Sequence, residues 1–512
     1  MINTLFFSVW ANNYIRGLVC AFKCKEREIN VDLDYLNNNH QYLYLLSLHD
    51  KLKHNIYVKL SINNKDQLDQ YQKNKYNNLI NHVEINIENE QQQQQPPKGQ
   101  DQDFLIIDCD TLPLGLQILV IYVDARSVCL GELPYSIDQL VIRGAYKIKT
   151  FFICQLVNHV LMNLPYKIRY LDLPNSVQVH TLSNICLPES LIDLDYCSSY
   201  NNLQKFIVPP NKVYDGCKLR ALSMDDLIWL HNKLWVSHLE IFDGINVDFI
   251  RQYTIASHIR SLVVFYHADF EIGSLPDTLE SFTGYNSRST QQFRGVLPPN
   301  LKNLTLSLYG MRLEKGILPP SLVKLSIGTF DDEIEDGALP PGLELLKLNS
   351  FDQPIYQGIF PDSLTELHLE ILNRPLLPNT LPSSLKTLVL ENYNSEILGL
   401  PSSLTRLQLN SYSGSLENVG VLENLQDLTI IILRQSIINV LTSSNIKRMK
   451  LTFFKKETGV NLSDTFIQDL TLVCTGPIPD IDASFFPTTL KSLITLRINI
   501  IDVPFGCKYT SQ

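Results

Sequence analysis

Between Leu301 and Leu409 the apolar residues follow one pattern, Leu-x-x-Leu-x-Leu, that returns at a near-constant step. Its slots are Leu301/Leu304/Leu306, Leu322/Leu325/Ile327, Leu343/Leu346/Leu348, Leu364/Leu367/Leu369, Leu385/Leu388/Leu390 and Leu404/Leu407/Leu409. Alternation at the last two slots is the period of a strand with one buried face. Each repeat therefore predicts one short strand. Leu-Pro or Phe-Pro precedes the pattern at Pro276, Pro298, Pro319, Pro340, Pro361, Pro382 and Pro401, with gaps of 22, 21, 21, 21, 21 and 19. Proline has a fixed φ and no N–H to donate, so it suits the entry to a strand and not its interior. Three positions after the last core slot stands a ring, at Tyr309, Phe330, Phe351, Tyr393 and Tyr412, with Leu372 the exception. Four further on stands an aliphatic, at Leu313, Ile334, Ile355, Leu376, Ile397 and Leu416.

A fixed short period means stacked coils, each one supersecondary unit that buries its apolar face only against its neighbours. Like positions would then form continuous ladders, each buried side chain contributing about 1.5–3 kcal/mol. The common leucine-rich repeat places an Asn near the ring position to hold backbone groups. A ring fills that slot here, so packing rather than a side-chain amide is expected to fix the turn. A coil this short leaves no room for a helix of about 11 residues, so the return path is expected to be extended or a single 3₁₀ turn.

The core pattern outlasts the prolines. Leu425/Leu428/Ile430, Ile446/Met449/Leu451 and Ile467/Leu470/Leu472 keep the step, and a last copy holds Leu490 and Leu493. Upstream, Leu116/Leu119/Ile121, Ile137/Leu140/Ile142, Ile168/Leu171/Leu173 and Leu191/Leu194 follow Leu-Pro pairs, with weaker units near Phe206, Leu222, Leu239 and Leu262. About nineteen units result. Residues 104–505 are read as the array, most regular over 275–416. Residues 1–80 read differently: Leu5, Phe6, Val9 and Trp10, then Ile15, Leu18, Val19 and Phe22, have helical spacing, with Ile56 to Ile62 as a strand. They are expected to form a small, mostly helical capping module over the first core layer. Residues 88–103, with Gln91 to Gln95 and Pro96-Pro97, have nothing to bury and read as a disordered insertion.

The repeat resembles the FNIP repeat, a relative of the leucine-rich repeat with about 22 residues per unit. Phe351-Asp352-Gln353-Pro354-Ile355 is the nearest copy of that family's Phe-Asn-x-Pro-Ile core; Tyr393-Asn394 with Ile397 and Phe330-Asp331 with Ile334 keep parts of it. The departures are frequent losses of the Asn and the Pro. The resemblance implies a β-rich α/β repeat solenoid, a leucine-rich-repeat-like stack of short parallel strands with little helix on the convex side. It implies a protein-interaction scaffold and brings no catalytic residue with it.

Composition narrows the partners. The 512 residues carry a net charge of -10, which disfavours a nucleic-acid protein. No apolar run is long enough for a membrane span, and apolar Met1 to Ala11 lacks the basic start of a signal peptide. The ten cysteines are scattered without a CxxC pair, so they read as buried or idle thiols of a reducing, cytoplasmic compartment, with no metal. There is no Gly-rich phosphate loop, GxSxG or HExxH, so no enzyme and no cofactor is expected. Asp331-Asp332-Glu333 and Glu335-Asp336 form an acidic turn, read as solvated, with a cation or a basic partner as its functional alternative.

The expected site is the concave face, where residues alternating with the core Leu point outward. Its candidates are Asn303, Thr305, Lys324, Ser326, Lys347, Glu366, His368, Arg406, Gln408, Arg448 and Lys450. At about 4.8 Å per strand, eleven units give a ribbon roughly 50 Å long. Mixed charge points to another protein as partner. Two further readings stay open. Residues 143–169, with Arg143, Lys147, Lys149, Lys167 and Arg169 around an apolar stretch, read as a docked helix or as a calmodulin-type target anchored by Phe151 and Leu164. The N-terminal helices read as a cap or as an F-box-like adaptor-docking module, which would make the chain a substrate receptor of a ubiquitin ligase.

Overall fold

In a computed structural model of the protein the coils stack as parallel strands in exact step with the leucine period. The structure describes residues 13–87, 106–123, 127–144, 152–175, 177–181, 183–242, 245, 250, 253–265, 270–285, 295–307, 313–420, 422–432, 435–455 and 459–511. The Gln/Pro-rich stretch, Lys147, Lys149, Phe151, Tyr309 and the first N-terminal apolar cluster lie outside them. The chain divides into two units, Met1–Glu240 and Ile241–Gln512.

In the second unit each repeat supplies one short strand. Asn303–Leu306, Lys324–Ile327, Leu345–Leu348, Glu366–Leu369, Thr387–Leu390 and Arg406–Leu409 are all four residues long. Each pairs in parallel with the next, so that Leu304, Leu325, Leu346, Leu367, Leu388 and Leu407 fall in one row. The row continues through Leu428, Met449, Leu470 and Leu493. These side chains are buried throughout, because a strand alternates its faces and only one face has a neighbour above and below.

The proline begins each turn rather than merely preceding the strand. The carbonyls of Pro319, Pro340, Pro361 and Pro382 accept the N–H groups of Leu322, Leu343, Leu364 and Leu385 at 3.0–3.2 Å. Two residues after it, Ser321, Ser363, Ser384 and Ser403 donate their hydroxyls to the carbonyls of Leu301, Leu343, Leu364 and Leu385 at 2.6–2.7 Å. Each hydroxyl satisfies a strand-entry carbonyl of the coil before it.

The ring row forms as expected: Phe330 and Phe351 lie parallel with centroids 5.9 Å apart, and Tyr393 and Tyr412 repeat that spacing. The expectation that packing alone fixes this turn is corrected. Immediately after the ring, the side-chain oxygens of Asp331, Asp352, Asn373 and Asn394 accept the backbone N–H of the same position in the next coil. Asp352, Asn373, Asn394 and Ser413 donate these bonds, at 2.8–3.1 Å. Asp and Asn serve equally because only the acceptor oxygen is used. Asp331 of the acidic turn is thereby a structural acceptor. Further round the coil the chain passes through left-handed backbone at Gly358 (φ 91°) and, one coil on, Asn379 (φ 64°), the two residue types that adopt it most readily. The described return paths over 313–420 contain no helix, as the short period predicts. One later coil differs: Gln435–Ser443 is a helix of nine residues.

In the first unit Glu28–Val31, Tyr57–Ile62, His82–Ile85, Ile118–Val123, Gln139–Gly144 and Tyr170–Asp172 pair in parallel in that order. Helices Asn13–Lys23, Leu33–Leu43, Leu48–His54 and Lys65–Gln72 alternate with the first of these strands. Buried Asn81 links three coils: its oxygen accepts from Val58 N–H (2.7 Å), and its amide donates to the Ile56 carbonyl (2.9 Å) and to Gln117 Oε1 (2.6 Å). Lys51, also buried, donates to the Leu79 carbonyl at 2.7 Å, and burial pulls its pKa down to about 8. The helix read in the basic segment is Gln155–Met162, with Leu156, Val157, Val160 and Leu161 buried. Its apolar face is therefore spent on the array. Arg143 lies on a strand beside Asp172 (2.7 Å), and Arg169 faces Asp138 (3.8 Å).

Four variants test the stack. Leu367→Asp places a charge in the buried row and should cost about 3 kcal/mol or more, whereas Thr387→Asp, on the other face, should be nearly neutral. Asn373→Ala should cost about 1 kcal/mol and Asn373→Asp much less. Urea denaturation reads all four, and equal losses at Leu367 and Thr387 would show that the faces are assigned wrongly.

Candidate interaction face

The non-core positions of the second unit's strands make two rows in register. One runs Asn303, Lys324, Leu345, Glu366, Thr387, Arg406, Asp427, Arg448; the other runs Thr305, Ser326, Lys347, His368, Val389, Gln408, Thr429, Lys450. All eleven sequence candidates thus stand on one face of the sheet. Lys324, Lys347, Arg406, Arg448 and Lys450 are exposed, while Asn303, Thr305, Ser326, Glu366, His368 and Gln408 are half-buried. Val389 departs from the outward reading and is buried between His368 and Gln408.

The charges on this face are not equivalent. Arg448 grips the Asp427 carboxylate through Nε and through Nη2, the latter at 2.7 Å. Arg406 Nε stands 3.9 Å from the same carboxylate. The hydrogen bond from Arg448 holds the Asp427 carboxyl below its ordinary range, and burial opposes that shift. Glu366 and His368 pair at 2.6 Å. Among the described residues no acid stands within ion-pair distance of Lys324, Lys347 or Lys450. Asp427, which occupies the candidates Arg406 and Arg448, lies one coil away from each.

Elsewhere the first unit has a cleft of about 610 Å³ lined by Arg16, Leu18, Tyr42, Tyr44, His49 and Asp50, among others. Leu18, Phe22, Tyr42, Tyr44, Leu48 and Leu52 on these helices are exposed. Among the described residues no cluster of three or more His, Cys, Asp or Glu is placed to hold a metal ion. Nor, among them, is any helix long and apolar enough to cross a membrane.

This architecture defines a leucine-rich-repeat-like solenoid of short parallel strands. More particularly, the chain carries FNIP repeats: the family model described as FNIP Repeat matches residues 291–330, 330–370 and 373–412. No curated protein matches the chain. Among solved structures it is similar to CroV588, described as a novel circular LRR protein structure, at 17% identity over 88% of this chain and 79% of that one, with a TM-score of 0.42. It is also similar to YopM from Yersinia enterocolitica WA-314, at 18% identity over 78% of this chain and 88% of that one, with a TM-score of 0.32. The fold assignment rests on this chain's own strand register.

Because Asp427 has a depressed pKa in the folded chain, its contribution is present above the unfolded pKa of a carboxylate and is lost as pH falls through the folded value. Asp427→Asn should therefore flatten the acid limb of stability against pH, measured by denaturant midpoints from neutral to strongly acidic pH. An unchanged acid limb would mean that the Arg448 contact is not kept in solution.

Proposed function

We propose that the chain is a non-enzymatic scaffold that holds another protein on the open strand face of its second unit. One observation carries this reading: two in-register rows contain Lys324, Lys347 and Lys450, three cations that have no acid of their own among the described residues. A regular sheet satisfies its own backbone groups, so side chains on this face are free to meet a partner. The lysines favour a partner segment bearing carboxylates, and Asn303, Thr305, Ser326, Glu366, His368 and Gln408 offer hydrogen bonds between them. Arg406 and Arg448 sit at the same face but share Asp427, so they serve the partner less than they serve the stack.

A second reading has its own support. The exposed apolar and aromatic side chains on the helices Asn13–Lys23, Leu33–Leu43 and Leu48–His54 suit an adaptor, as in a ubiquitin-ligase substrate receptor with an F-box-like N-terminus. The strands interleaved with those helices, Glu28–Val31 and Tyr57–Ile62, depart from an all-helical docking module, so the strand face is the preferred reading.

Affinity purification from the native cell separates the two. Charge reversal at Lys324, Lys347 and Lys450 together should deplete the main co-purifying protein by tenfold or so, about 1.4 kcal/mol, with no change in melting temperature. Phe22→Glu with Tyr44→Glu should leave it in place. Loss with the second pair and not with the first would reverse the assignment.

A further inference from the structure

The ten cysteines carry no motif, yet the fold brings two of them together in the first unit. Strand Ile106–Asp108 pairs in parallel with Val128–Leu130, setting Ile107 opposite Cys129. Cys109 opens the 3₁₀ turn Cys109–Thr111 that follows the first of these strands, and its Sγ lies 2.6 Å from Cys129 Sγ. Unbonded heavy atoms ordinarily stay about 3.5–4.0 Å apart, so no side-chain rearrangement is needed to bring the sulfurs within bonding reach. Both side chains are buried, Cys129 within a strand pair only three residues long and Cys109 directly after it.

We propose that Cys109 and Cys129 are a redox modification site, at which a peroxide converts the two thiols into a disulfide that joins adjacent coils. Cys129 is the first nucleophile. The hydrogen bond from the Cys109 thiol draws its pKa down, against burial and the charges of Asp108 and Asp110, whereas the same bond, with burial, raises that of Cys109. The Cys129 thiolate attacks one peroxide oxygen, the O–O bond breaks, and sulfenic acid and hydroxide result. Hydroxide takes the Cys109 proton, the Cys109 thiolate attacks the sulfenyl sulfur, and the S–O oxygen leaves as water once protonated. Two thiols and one peroxide give one disulfide and two waters. Access comes through opening of the short strand pair, since local opening is easiest where few bonds hold an element.

The third thiol of this region, Cys154, donates to the Ser127 carbonyl at 3.7 Å, and Cys186 is exposed. These two serve as internal controls. The reduced full-length chain is titrated with hydrogen peroxide, alkylated without reductant, digested and analysed by mass spectrometry. The expected product is a peptide pair linked through Cys109 and Cys129, lighter by two hydrogens, together with a rise in melting temperature that reductant reverses. Cys154→Ser should form the same link, and Cys109→Ser should abolish both the link and the rise. The linked peptide is read in the unaltered chain, so a misfolded variant leaves the test intact. If Cys186 is fully oxidised while Cys109 and Cys129 both remain alkylatable, or if either links instead to Cys154, the assignment is wrong.

Discussion

Backbone hydrogen bonding between the parallel strands of successive coils is the constraint on which the structure depends. A parallel ladder keeps its register only when each coil brings its strand back to the same place, as steps of 22, 21 and 19 residues all do here, and a slip of one residue would turn each core Leu to the other face. The period of 21 is therefore a structural quantity. It sets Leu304, Leu325, Leu346 and Leu367 in one row, and with them every other repeated position. The hydroxyls after the proline, the ring stack and the Asx acceptors are all consequences of that register. Each joins a residue to the adjacent coil, and none makes sense within a single coil.

The same constraint separates what holds the chain together from what it offers to others. One strand face, the turns and the return path are consumed by neighbouring coils. The other strand face meets no coil, so its chemistry varies without cost to the stack. Within it, Asp427 is shared by Arg406 and Arg448 on the two adjacent strands and behaves as a lateral tie. Among the described residues Lys324, Lys347 and Lys450 carry no such tie.

Much of this was legible in the sequence because the pattern of Leu and Pro is periodic and the strand face follows from alternation. What stayed hidden depended on contacts between residues one coil apart that no local motif announces. The Asx acceptors were overlooked because the ring beside them filled the position where an amide was sought. Asp331 looked like surface charge because its bond goes to a backbone N–H a full coil later. The helix Gln435–Ser443 escaped because a short coil was expected to exclude it, although nine residues fit within the ordinary step from Asp427 to Arg448. Alternation with the core puts Arg448 on the outward face, and its partner at Asp427 becomes visible only in register. Cys109 and Cys129, 20 residues apart, were hidden in the same way.

The most direct test of the stack is a distance ladder along one row of the open face. Nitroxide labels on genetically encoded unnatural side chains are placed at Ser326 paired with His368, with Gln408 and with Lys450, and their separations are measured by pulsed electron paramagnetic resonance. At about 4.8 Å per strand, separations of roughly 10, 19 and 29 Å should grow in sequence with the number of coils between the labels. Three distances unordered by coil number, or a Lys450 label nearer to Ser326 than the His368 label is, would contradict register stacking.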